Sequence, residues 1–191
     1  MVMDSVLNEK QGRALLQLAR QVIAERLGLA VDETAQQGLF PEEQCGVFVT
    51  LKKGGILRGC IGNLTPAGTV ADGVAKNAIN AAFADPRFPS LTAEEFGDVE
   101  IDISVLSAPQ HLEYCDAYDL LAKLRPGIDG VTLYLHGASA TFLPQVWEQL
   151  PDPEQFLDHL CQKAGLAKTV WREEHPDIEI YQAQCFEEEK R

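Results

Sequence analysis

The 191-residue sequence has no apolar run approaching the roughly 20 residues that span a bilayer. Its first residues, Met1 to Lys10, carry no basic stretch followed by an apolar one, so no secretory signal is read. Its five cysteines (Cys45, Cys60, Cys115, Cys161 and Cys185) include no C-x-x-C pair. That removes the main signal of a zinc ribbon or a thioredoxin-like motif and leaves the expectation of reduced thiols in a cytoplasmic protein. There is no H-x-H or H-E-x-x-H, so no metal site is expected, and no phosphate-binding loop or dinucleotide fingerprint, so no cofactor is expected. Positive charge is scarce as well: 16 basic residues stand against 29 acidic ones, a net charge of −13, with no Lys/Arg run. Such a field opposes direct binding to nucleic acid and to anionic membranes.

What is present is an ordinary globular composition, 46% hydrophobic and 24% charged. The length suits one large domain or two small lobes with a core that needs no staples. Asn8 with Gln11 makes a capping box for a first helix, and Ala14, Leu15, Leu18, Val22, Ile23 and Leu27 recur at helical spacing up to Gly28. Residues 30 to 45 read as a loop. Val47 to Leu51 and Ile56 to Ile61 read as a hairpin turning through Lys52-Lys53-Gly54-Gly55. Alternation then sets Arg58 and Cys60 on one face, about 6–7 Å apart along the strand. Gly59 and Gly62 flank the cysteine, and glycine inside a strand marks a bulge or a close approach.

Residues 69 to 84 form a helix of small side chains ended by Asp85-Pro86. Thr92 with Glu95 makes a second capping box. Val99 to Leu106 is the clearest strand, with Glu100, Asp102 and Ser104 alternating against apolar residues. A helix over Asp116 to Leu124 and a strand from Val131 to His136 follow. Gly137-Ala138-Ser139 turns that strand into Ala140-Thr141-Phe142. A helix capped by Asp152 and closed by Gly165 comes next, then a last strand from Ile178 to Phe186 and a solvated tail, Glu187-Glu188-Glu189. Half-polar strands and hairpins predict an α+β fold with mainly antiparallel sheet flanked by helices.

Leu57-Arg58-Gly59-Cys60-Ile61-Gly62 resembles, at all six positions, the hexapeptide of the AMMECR domain family, whose bacterial and archaeal members are often called AmmeMemoRadiSam system protein A. Phe48-Val49-Thr50-Leu51, Ala81-Ala82 with Asp85-Pro86-Arg87-Phe88-Pro89, Asp102 to Ser107, Thr141 to Trp147 and Lys163 to Leu166 resemble further segments of that family in order. The likeness covers nearly the whole chain as a single unit, 1–191, with its internal lobe boundary left open. It implies two interleaved lobes with the hexapeptide lining a cleft between them. It also implies association with a Memo-like protein and a radical-SAM protein, and supplies no reaction. One departure is the turn Gly137 to Ala140, which lacks the basic residue that many members carry there.

The candidate chemistry centres on Cys60. A nucleophilic cysteine needs a nearby cation or oriented N–H groups, which Arg58, Gly59 and Gly62 would supply, and a base, for which His136 is the first choice among four histidines. The alternative is a packed thiol between two shape-determining glycines. Glu100 and Asp102 are paired carboxylates or simply the solvated face of a strand. Asp85 and Arg87 are an anion clamp or a rigid corner. Leu143 to Trp147 docks a partner or anchors a core. Two functional readings follow: an accessory protein that recognises an anionic group or a peptide of its partners, and an enzyme with Cys60 as nucleophile for acyl or alkyl transfer or hydrolysis.

Overall fold

The computed structural model describes residues 7–30, 40 and 42–188, so most of the expected 30–45 loop and Glu189 fall outside the described residues. In chain order the elements are α1 (Glu9–Arg26), β1 (Val47–Lys53), β2 (Ile56–Asn63), α2 (Val70–Phe83), α3 (Ala93–Phe96), β3 (Val99–Leu106), β4 (Gln110–His111), α4 (Ala117–Lys123), β5 (Gly130–Leu135), β6 (Ala138–Phe142), a 3-10 turn (Pro144–Glu148), α5 (Pro153–Lys163), α6 (Val170–Glu173), β7 (Asp177–Tyr181) and β8 (Ala183–Glu187). The α+β class is as expected. The chain divides into two compact units, Met1–Ser107 with Gln184–Arg191, and Ala108–Ala183.

The first unit is built on the sheet β2-β1-β3-β8. Asn8 accepts from the N–H groups of Lys10 and Gln11 while the Gln11 side chain accepts from Asn8 N–H, which satisfies the free donors at the start of α1. Val47, Val49 and Leu51 of β1, with Ile101, Ile103 and Val105 of β3, are fully buried in one cluster with Leu15, Ile23, Val74 and Ala78 of the helices. Each such side chain contributes about 1.5–3 kcal/mol by leaving water. The hairpin turns at Gly54-Gly55, both at positive φ, as a two-residue turn requires.

The second unit has its own sheet, β4-β7-β5-β6, and its own buried cluster, which includes Leu133, Phe156, Leu157, Leu160, Trp171 and Ile178. Trp147 belongs to it as an anchor: its ring stacks on Phe156 at 3.7 Å and its indole N–H donates to Asp129 O at 2.7 Å. The expected helices at 116–124 and 152–165 are present, capped by Asp116 and Asp152.

Three sequence expectations change. The turn after β5 is His136-Gly137, both at positive φ, so His136 leaves the strand and Ala138 and Ser139 already belong to β6. The single last strand expected over 178–186 is two strands in two sheets, parted at Gln182, where neither proline nor glycine announces the change. Glu188 is no solvated tail: Arg20 Nε donates to it at 2.7 Å and Ile101 N–H at 3.0 Å, and the same guanidinium donates to Phe96 O and Val99 O and stands 4.8 Å from the Phe96 ring. Charge patterning alone reads a triple glutamate as solvent-facing; at Glu188 a mostly buried arginine on α1 overrides it. β4, α6 and the 3-10 turn hold too few residues to show a period.

The Arg20–Glu188 pair latches the end of the chain onto α1 and β3. Glu188→Ala, which leaves a mostly buried guanidinium without its carboxylate, is expected to cost about 2 kcal/mol of stability. A denaturant titration followed by far-UV circular dichroism measures it, and an unchanged midpoint contradicts the latch.

Candidate functional site

Cys60 lies on β2, the outer strand of the first sheet, opposite Thr50 of β1; Thr50 in turn is opposite Asp102 of β3. Directly opposed residues share a face, so Cys60, Thr50 and Asp102 form one row across three strands, with Cys60 and Asp102 roughly 10 Å apart. The half-buried thiol accepts a hydrogen bond from the Thr50 hydroxyl at 3.2 Å. Asp102 pairs with Lys52, whose ammonium is held above its usual range chiefly by that bond. Glu100 lies one step along the same face, opposite Lys52, and lines a shallow depression with Lys53, Gly54, Gly97 and Asp98. The structure thus places Cys60, Asp102 and Glu100 on one sheet face, with Thr50 and Lys52 between them.

The pairing shifts between Leu51 and Lys52. Leu51 faces Gly59 and Lys52 faces Leu57, so Arg58 is an extra, bulged residue. Its side chain, mostly buried, donates from Nη2 to Pro89 O at 2.9 Å and pairs with Glu95 at 3.1 Å, and its Nη1 is buried without an acceptor. Glu95 is held below its usual range, first by Arg58. The cation that contacts the Cys60 residue is instead Arg87.

The two glycines of the hexapeptide are fixed by close approach. A Cβ on Gly59 would stand 2.2 Å from the Ala81 carbonyl oxygen of α2, and one on Gly62 would stand 2.2 Å from the Phe48 ring opposite it. Gly59 meets backbone that cannot rotate away, so this position admits no side chain without moving α2.

As the outer strand, β2 exposes backbone groups that no further strand satisfies. Asp85 and Arg87 take this place at Cys60. Asp85 Oδ2 accepts from Cys60 N–H at 2.9 Å, and Arg87 Nη2 donates to Cys60 O at 3.1 Å. The two side chains also bond each other, Arg87 Nε to Oδ1 at 2.9 Å and Nη2 to Oδ2 at 2.6 Å, and Oδ1 accepts from Arg87 N–H as well. Asp85 is only 2% exposed on its side chain. The Arg87 guanidinium, first of all, holds its carboxyl far below the usual carboxylate range despite burial, helped by the Cys60 and Arg87 N–H groups. Asp85 and Arg87 together form a carboxylate–guanidinium clamp on the Cys60 peptide.

All four histidines belong to the second unit. His136 sits in its turn with Nε2 2.9 Å from Glu174 and its side chain 66% exposed. Among the described residues no group of three or more His, Cys, Asp or Glu is arranged to hold a metal ion, and no helix is long and apolar enough to cross a membrane.

The AMMECR1 family model matches residues 16–186. The chain belongs to the AMMECR1 family. Among relatives of this AMMECR1-family protein, one from Methanothermobacter thermautotrophicus is 37% identical over 187 residues, covering 96% of this chain and 97% of the relative. A second, Protein MK0488 of Methanopyrus kandleri, is 35% identical and covers 98% of this chain and 93% of its own length. The crystal structure of the uncharacterised protein PH0010 from Pyrococcus horikoshii matches with a TM-score of 0.86 at 34% identity, over 96% of this chain and 94% of that one. These matches carry the family and the α+β fold.

Sequence reasoning missed Thr50 and Glu95 as members of the site. Glu95 is visible in sequence only as a helix-cap residue, a role it also fills by accepting from Thr92 N–H. Thr50 is reachable only through the bulge.

The sign of Asp85's contribution follows from its lowered pKa. It is complete above the ordinary carboxylate value of about 4 and is lost as pH falls below it. Asp85→Asn is expected to lower stability at pH 7 by about 2 kcal/mol and to flatten the acid side of the profile. Denaturation midpoints taken from pH 7 to pH 3 test this; a variant whose acid slope equals the wild type's removes Asp85 as the group responsible.

Proposed function

We propose that this AMMECR1-family protein is an accessory binding component that acts with a Memo-like and a radical-SAM partner in a modification pathway, and that the surface around Arg58-Gly59-Cys60 is its recognition region. The observation that carries this reading is the clamp. The charged groups around the hexapeptide are bonded to one another and to backbone: Asp85 and Arg87 to the Cys60 peptide, Arg58 to Glu95 and Pro89 O. The sulfur's hydrogen-bond neighbour is a hydroxyl donor, Thr50, and not a base. Such a region presents a fixed backbone shape, which suits recognition. Glu100, Asp102 and Asp98, interleaved with Lys52 and Lys53, form a charged border beside the exposed hairpin residues Ile56 and Leu57.

One observation favours the second reading, an enzyme with Cys60 as nucleophile. The Thr50 hydroxyl donates to the sulfur at 3.2 Å and the Arg87 guanidinium donates to the carbonyl oxygen of the same residue at 3.1 Å, which gives that reading a donor on the sulfur and a cation on the same residue. In that reading Arg87 replaces Arg58 as the activating cation.

Site-resolved alkylation against pH, read by mass spectrometry on wild type and Arg87→Ala, separates the two. Cys115, which is exposed, is the internal reference. The accessory reading expects Cys60 to follow the pH profile of Cys115 or to react more slowly, and expects the tagged chain to retain the Memo-like and radical-SAM proteins of its own genome. Rapid Cys60 alkylation below pH 7 that Arg87→Ala abolishes overturns it in favour of the enzyme.

A further inference from the structure

We infer that Ala108–Ala183 is a separately cooperative folding unit inserted between β3 and β8, so that either unit opens to solvent without opening the other. Three observations carry this. Among the described residues, two clusters of buried hydrophobic side chains form, and every member of each lies within one unit. Opening free energies differ between parts of a chain, which open as contiguous cooperative units.

The insertion also closes on itself. Near its two ends Gln110 pairs with Ile180, and Leu112 N–H donates to Ile178 O at 2.8 Å, so β4 and β7 tie its start to its finish inside its own sheet. It is far longer than the roughly 40 residues below which a chain needs staples to fold.

The first unit closes over the gap in the same way. Glu188 N–H donates to Ile101 O at 3.1 Å and Ser104 contacts Cys185 at 3.7 Å, so the returning chain runs antiparallel to β3 and completes the sheet where the outgoing chain left it. With the Arg20–Glu188 latch, the first unit holds its last strand through its own contacts. Ile103 and Ile178 are equivalent probes, each fully buried on a strand, one per cluster.

The test uses the full chain. Ile103→Val and Ile178→Val are compared by peptide-resolved hydrogen exchange, reading the slowest amides of each unit. Ile103→Val is expected to speed exchange in β1 and β3 about two- to tenfold and to leave β5, β7 and α5 unchanged, and Ile178→Val to do the reverse. Equal acceleration in both units by either variant overturns the inference. A denaturant titration decides it independently, because Trp147 and Trp171, the only tryptophans, both lie in the second unit. Ile103→Val is expected to shift the circular dichroism curve and to leave the fluorescence midpoint in place; a matching fluorescence shift means one cooperative unit.

Discussion

A buried carboxylate must be answered by donors, and at Asp85 the answer organises the region around Cys60. Arg87 supplies the opposing charge two residues along the chain, and the Cys60 N–H arrives from the edge of the sheet. Because the same guanidinium also donates to Cys60 O, both backbone groups of an edge residue are satisfied without a neighbouring strand. The segment from 85 to 91 is drawn against β2, and further backbone bonds hold it: Phe88 N–H to Asp85 O, and Leu91 N–H to Ala82 O at the end of α2. The guanidinium of Arg58, which the bulge frees from the pairing with β1, then finds Pro89 O and Glu95 on this same segment. Remove the carboxylate, and the Cys60 N–H at the sheet edge and Arg87 at the corner each lose a partner.

This arrangement changes what the hexapeptide means chemically. Read as a string, an arginine two residues from a cysteine looks like a cation placed to activate a thiol. In the fold that arginine is bonded elsewhere, and the cysteine is held by its main chain. A residue fixed through its peptide, between one glycine pressed on a helix carbonyl and another pressed on an aromatic ring, is placed for shape. Its sulfur stays half-buried beside a hydroxyl. The accessory reading rests on that difference, and the Thr50 hydroxyl and Arg87 are the groups that keep a chemical reading of the thiol open.

Much of the fold was legible because local signals agreed with the final structure. Capping boxes at Asn8 and Thr92 mark true helix starts, since they satisfy donors that every helix start leaves free. Val99 to Leu106 reads as a strand because one face is buried and the other is polar. The errors share a cause. His136 continues an alternating pattern, yet it adopts a left-handed backbone because β5 and β6 need a two-residue turn at that point. The run 178–186 holds neither proline nor glycine, and only its two sheet partners divide it.

For the site, the sequence by itself determined the residue types: a cysteine between glycines on a strand, an Asp-Pro-Arg corner after a helix of small residues, and carboxylates alternating along a neighbouring strand. These follow from covalent order and side-chain periodicity. Only the tertiary structure decided which of them meet. A straight continuation of the hairpin register from Lys53 and Ile56 would set Cys60 opposite Val49, and one bulged residue sets it opposite Thr50 instead. The same bulge sends Arg58 to Glu95, and the fold of the 85–91 segment brings Asp85 and Arg87 to a peptide 25 and 27 residues away. Those contacts depend on how an edge strand, a helix end and a buried charge satisfy one another at once, a condition that no local window of sequence contains.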